Sequence, residues 1–144
     1  MKTISLHQPW ASAIALGLKT EETRSWATHY RGPLAIHAAK KQSMDHFCVF
    51  MDLIQEPPGV IYDAFKASGL PEVIYNDLAC PNFYSLPFGQ IIATCLLADC
   101  RPTSVHAPSV SPITGKSDLN DILGNYSPGR FAWVLKDIKP LPNP

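Results

Sequence analysis

Eight consecutive residues, Gly17-Leu18-Lys19-Thr20-Glu21-Glu22-Thr23-Arg24, set a lysine, two carboxylates, two hydroxyls and an arginine side by side. A carboxylate accepts hydrogen bonds and an arginine presents a planar fork of donors. A lysine supplies a point charge, or a base where burial lowers its pKa. Such a set can grip a nucleobase edge, a carboxylate or a phosphate. Residues two apart on a strand share a face. Glu22, Arg24 and Trp26 then point one way, Thr23 and Ser25 point the other, and Lys19 sits one turn back at the end of the preceding helix. The same spacing also suits a solvated turn with an ordinary Glu–Arg surface pair, which contributes little to stability.

Other groups can converge on this octet. His7-Gln8-Pro9-Trp10 opens the first helix, where free N–H groups receive an anion or a carbonyl. Gln8 is expected to point into the cleft, whereas the helical spacing of Trp10 favours the core. His37 closes the second strand opposite its apolar face. It looks into the same space, or it is a structural hydrogen-bonding residue. Arg130 follows Pro128-Gly129 and is within reach of a phosphate, and Trp133 reads as core. Cys100 and His106 form only half a metal ligand set, so no metal and no cofactor is expected.

The elements that must position these groups follow from periodicity. Thr3–Leu6 alternates as a half-buried strand. Trp10, Ala13, Ile14, Gly17 and Leu18 make one helical face, with Pro9 as the first helical residue. Glu22–Trp26 and Leu34–Ala38 read as strands around the turn Arg31-Gly32-Pro33. Met44, Phe47, Cys48 and Met51 repeat the helical spacing behind Ser43 as N-cap, and Glu56-Pro57-Pro58-Gly59 stops that helix. Val60–Ala67 is a short helix ended by Gly69 and Pro71. Residues 76–88 read as an irregular loop. Gln90–Asp99, apolar on both faces, is a central strand, and residues 101–117 are a Pro/Ser-rich loop. Phe131, Trp133 and Leu135 point inward from a last strand. This order makes no regular βαβ units. It fits an α+β domain, a small mixed or antiparallel barrel with helices packed on it.

Composition narrows the function. The chain has 144 residues, 46% hydrophobic and 17% charged, a length suited to one domain over residues 1–144. Lys plus Arg equals Asp plus Glu, 12 each, so there is no basic field of the kind that long nucleic acid recruits. Any nucleic-acid ligand is then short or held at a local site. The longest strongly apolar run, Ile91–Ala98, is too short to cross a bilayer, so no membrane partner is expected. Residues 1–6 lack the apolar stretch of a signal peptide. Cys48, Cys80, Cys95 and Cys100 include no C-x-x-C, which favours free, mostly buried thiols in the cytosol.

Three blocks then resemble a known family. They are Ser5-Leu6-His7-Gln8-Pro9-Trp10-Ala11, Gly17-x-Lys19-x-x-Glu22-x-Arg24 and Tyr30-Arg31-Gly32-Pro33-Leu34-x-Ile36-His37-Ala38. This pattern resembles the ASCH domain family, whose glycine-lysine-glutamate-arginine signature is met at every position. Leu86–Ile92 and Ser127–Trp133 are similar to its later blocks. The resemblance implies a PUA-like small β-barrel with flanking helices, and RNA or a nucleotide-like molecule as ligand in a cleft around the signature. Gln8, Lys19, Glu22, Arg24, His37 and Arg130 are the expected ligand-binding set. Some small relatives are hydrolases that deacylate a modified cytidine with a lysine, a threonine and a glutamate. Lys19 matches their lysine, but Glu22 stands where their threonine nucleophile falls. A hydrolase of this kind, an amidohydrolase or a ribonuclease, would use Lys19 as base and Glu22 as proton shuttle. A protein partner held through the 101–117 loop is the third expectation.

Overall fold

The computed structural model describes residues 1–55, 59–75, 78–105 and 119–142. The alternation of the first strand gives β1 (Lys2–Leu6), with Ile4 and Leu6 buried. The helical face that follows gives α1 (Trp10–Ala15), with Pro9 just before it as N-cap and a cis Gln8–Pro9 peptide bond. Then come β2 (Glu21–Arg24), β3 (Gly32–Ala38), α2 (Met44–Gln55) and α3 (Val60–Ala67). The chain continues through β4 (Glu72–Tyr75), β5 (Leu78–Pro81), β6 (Gln90–Pro102), α4 (Leu119–Leu123) and β7 (Phe131–Pro140). Ser43 caps α2 as its sequence suggests, its hydroxyl accepting from the His46 N–H at 3.2 Å.

Five strands form one mixed sheet in the order β1-β3-β6-β7-β2. β1 runs parallel to β3, and the other neighbours are antiparallel. The register shifts between Ile36 and His37, and twice more along β6 and β7. Bulges raise local twist, and here the sheet curls into a half-barrel. One apolar cluster fills the curl, with Leu34, Ile36, Ala93, Leu97 and Leu135 among its members. A second cluster joins α2 and α3 to the segment after β5 through Phe50, Phe65 and Phe83. Phe50 meets Phe65 edge-on at 5.1 Å. Each such buried side chain is worth about 1.5–3 kcal/mol of burial. The architecture is therefore α+β, as expected.

Several boundaries differ from expectation. β2 ends at Arg24, so Trp26 lies beyond it. Residues 78–81 of the expected loop 76–88 pair with β4 as a hairpin, and Phe83–Ser85 forms a 3₁₀ turn capped by the Asn82 side chain. β6 runs on to Pro102, and a 3₁₀ turn follows at Thr103–Val105. The Thr103 hydroxyl secures that turn at the Ser127 and Arg130 carbonyls (2.9 and 3.1 Å). The remainder of the 101–117 loop, with His106 and the stop at Glu56-Pro57-Pro58, lies outside the described residues. α4 carries no strong signal in the sequence. No described helix is long and apolar enough to cross a membrane.

Candidate functional site

Lys19 is placed by the way α1 ends. Gly17 adopts φ 73°, a left-handed conformation that suits glycine. The Leu18 and Lys19 N–H groups both turn back to the Ala13 carbonyl (2.9 and 3.2 Å). That turn drives the Lys19 side chain inward until only 1% is exposed. Its Nζ donates to Glu22 Oε2 at 2.9 Å and to the Glu21 carbonyl. Burial pushes the Lys19 pKa below its ordinary value, and the Glu22 carboxylate opposes that shift.

Strand alternation in β2 divides the rest as the sequence suggests. On one face, Arg24 Nε lies 3.6 Å from Glu22 Oε1. Arg24 Nη2 donates to the Ser5 carbonyl of β1 at 2.9 Å. β1 and β2 are the outer strands of the sheet order, so this contact spans the seam where the half-barrel stays open. On the other face, Thr23 Oγ1 accepts the Asn125 N–H (3.0 Å). Glu21 pairs with Arg101 and accepts the Tyr126 hydroxyl (2.8 Å). The Asn120 side chain accepts from the Thr20 and Glu21 N–H groups and donates to the Thr20 hydroxyl. Both threonine hydroxyls of the octet are thus hydrogen-bonded to Asn120 and Asn125, although Thr23 shares a cavity wall with Glu22.

A cavity of about 180 Å³ opens at the seam between Ser5, Leu6, His7, Trp10, Glu22 and Arg24. Trp10 and Glu22 also border a neighbouring cavity of about 420 Å³ that reaches α2 and α4. A further cavity of about 440 Å³ lies against α3, and no titratable side chain among the described residues lines it. The chemistry is concentrated at the seam instead. Arg24 Nε is buried behind the seam wall, with no hydrogen-bond partner among the described residues.

Not every expected residue lines this cavity. Gln8 is fully buried; its Oε1 accepts the Ser12 N–H (3.0 Å) and its Nε2 donates to the Pro87 carbonyl (2.9 Å). It ties α1 to the segment before β6 and does not face the cleft. α1 has six residues, and the Ala11, Ser12 and Ala13 N–H groups are already bonded, so this end offers no anion seat. His37 Nδ1 lies 2.9 Å from Ser5 Oγ, one residue behind the cavity wall. Arg130 donates to the Asn125 and Thr23 carbonyls (3.1 and 3.2 Å), which braces the back of β2. Trp10 is half-buried: it packs against the second apolar cluster, as its spacing suggested, and also lines the cavity. Sequence reasoning missed His46 altogether. Its ring meets His7 at 4.6 Å and Trp10 edge-on at 5.5 Å, contacts that only the docking of α2 creates. No metal-ligand cluster occurs among the described residues, and the cysteines are free, with Cys48 exposed and Cys100 partly so.

The ASCH domain family model matches residues 4–140, nearly the whole chain. The chain belongs to the ASCH domain family. Its curled sheet with helices fits the PUA-like superfamily to which ASCH domains belong. The human protein "Activating signal cointegrator 1" is 51% identical over 116 residues, which cover 80% of this chain and 17% of that protein. The mouse protein of the same name is 51% identical over 39 residues, covering 27% of this chain and 7% of that protein. This ASCH domain thus spans less than a fifth of the curated relatives it matches. In its signature Gly17 turns the chain, Lys19 sits under Glu22, and Glu22 and Arg24 face the seam.

Proposed function

We propose that this ASCH domain binds RNA or a nucleotide-like ligand in the seam cavity, with Glu22 and Arg24 as its contacts. The observation that carries the reading is the placing of Glu22 and Arg24 together on the wall of that cavity, with Arg24 Nε 3.6 Å from Glu22 Oε1. Arg24 brings a planar fork of donors to that wall. Glu22 beside it accepts from a base N–H, so the pair suits a nucleobase edge or a base with its phosphate. Lys19 acts through Glu22, orienting its carboxylate by a hydrogen bond of 2.9 Å. Gln8, His37 and Arg130 support the wall from behind. The even charge balance favours a short ligand.

The test is calorimetric titration of the protein with a panel of nucleosides, nucleotides and short single-stranded RNA, beside Arg24→Ala and Glu22→Gln. Binding that disappears in Arg24→Ala supports the reading, and undiminished affinity in that variant overturns it.

The buried Lys19–Glu22 pair supports a second reading, a hydrolase of modified nucleosides or RNA. With Thr20 and Thr23 engaged elsewhere, the attacking group would be a water activated by Glu22. Arg24 would then steady the developing oxyanion. Incubation with acylated nucleosides and with RNA tests it. Turnover must fall in Glu22→Gln and in Lys19→Ala, and turnover that ignores both variants excludes this site. Protein partners through the 101–117 loop and a cytosolic setting, which the free thiols favour, complete the proposal.

A further inference from the structure

The seam does not end at Arg24. Ser5 and Arg24 also line a second cavity, about 390 Å³, that continues between β1 and the segment after β2. Its wall carries Trp26, Tyr30 and Trp133. Trp26 is 52% exposed, yet it is held in place. It stands edge-on to Trp133 at 6.2 Å, whose indole N–H donates to the Trp26 carbonyl at 3.3 Å. Cations lie over these rings, with the Arg24 guanidinium 5.2 Å from the Trp26 centroid and Lys2 Nζ 4.5 Å from that of Tyr30. No carboxylate lines this cavity among the described residues. Fixed, exposed aromatic surface with positive charge at either end is the arrangement on which bases stack while phosphates are neutralised.

We infer that this second cavity is a subsite for a neighbouring nucleotide, with Trp26 as the stacking surface and Lys2 as a phosphate contact. The ligand is then a single strand of at least two nucleotides laid along the seam. Arg24, which borders both cavities, meets the phosphate that links them. This inference rests on the nucleotide reading of the first cavity, and its test separates the two.

The full chain is titrated with each ribonucleoside monophosphate and with the matching homodinucleotide, and with hexaglutamate as a charge control. The dinucleotide is expected to bind roughly tenfold tighter than the monophosphate, the scale of one stacked base. Trp26→Ala removes that advantage and leaves monophosphate binding in place. Trp26→Phe keeps most of it, which distinguishes stacking from damage to the fold. Lys2→Ala weakens the dinucleotide and flattens its salt dependence. Equal affinities for monophosphate and dinucleotide in the unmodified chain overturn the second subsite alone. So does an advantage that survives Trp26→Ala, or hexaglutamate binding as tightly as the dinucleotide. Failure of every nucleotide to bind overturns the first cavity's reading and this inference with it.

Discussion

Arg24 on β2 donates through Nη2 to the backbone carbonyl of Ser5 on β1, 2.9 Å away, and so joins the two outer strands of a curled sheet. The half-barrel is crossed there by a side chain. A seam closed this way leaves space on either side of the bridge, and both seam cavities have Ser5 and Arg24 in their walls. The candidate site therefore follows from the sheet's topology as much as from the residue types.

Arg24→Lys separates the bridge from the fork. A lysine carries the charge but lacks Nε and the planar set of donors. It can still reach a carbonyl, so stability should fall by no more than about 1 kcal/mol, the worth of one hydrogen bond. Nucleotide binding should be lost nearly as fully as in Arg24→Ala. Urea denaturation and calorimetric titration of the same samples check the two halves, and full binding in Arg24→Lys would show that charge alone suffices.

Lys19→Met keeps most of the length of the buried side chain, one atom short, and removes its charge. The Glu21 carbonyl then loses its buried donor, and Glu22 loses its counter-ion. Destabilisation of about 1–3 kcal/mol is expected at neutral pH. The pH dependence has a definite sign. Burial holds the folded-state pKa of Lys19 below its ordinary 10.5. The unfolded chain therefore binds more protons between those two values, and stability rises with pH through that window. The variant lacks this rise, so its deficit against the unmodified chain should widen as pH climbs towards 10.5. Denaturation curves at a series of alkaline pH values measure it, and a deficit that narrows contradicts the assignment.

Asn120 closes the octet from behind. Its Oδ1 accepts from the Thr20 and Glu21 N–H groups at 2.8 and 3.0 Å, and its Nδ2 donates to the Thr20 hydroxyl at 3.0 Å. Asn120→Ala should cost about 1–2 kcal/mol and free α4 from β2. Amide hydrogen exchange at Thr20 and Glu21 should accelerate, while that of β3 and β6 stays slow. Unchanged protection at Thr20 would show that other contacts hold the junction.

What was legible in the sequence is what local periodicity encodes. Alternation placed Ile4 and Leu6 of β1 inward and set Glu22 and Arg24 on one face of β2, away from Thr23. The helical face from Trp10 to Ile14 and the cap at Ser43 were equally local, whereas Gly17 and Leu18 of the same pattern lie beyond the end of α1 at Ala15. The misreadings depend on partners far along the chain. Gln8 has the composition of a cleft residue, but its amide is bonded to the carbonyl of Pro87, 79 positions away. Arg130 looked free to reach a phosphate, yet it is committed to Thr23 across 107 positions. The hairpin of β4 and β5 has no alternating pattern in Leu78-Ala79-Cys80-Pro81, so pairing rather than periodicity defines it. Lys19 stood out in the octet by its charge, but its burial follows from the left-handed turn at Gly17 combined with the Glu21 carbonyl.

His46 supplies the last prediction, and its sign is also determined. Its Nδ1 is buried without a hydrogen-bond partner among the described residues. Burial, then the neighbouring His7, then Lys41 push its pKa below the ordinary 6.5, against the weaker pull of Asp45. As pH falls below 6.5 the unfolded chain takes up a proton that the folded chain resists, so stability declines with acidification until the folded-state pKa is passed. His46→Phe removes the titrating group and keeps a ring edge for Trp10, which meets His46 at 5.5 Å. Melting temperatures compared from about pH 7.5 to about pH 5 should then fall less in His46→Phe than in the unmodified chain. His7 and Trp10 both line the seam cavity, so protonation of His46 also places positive charge next to the ligand. Nucleotide affinity in the unmodified chain should therefore strengthen at the acidic end relative to His46→Phe. Parallel pH profiles for the two proteins, in melting and in binding, would remove His46 from both roles.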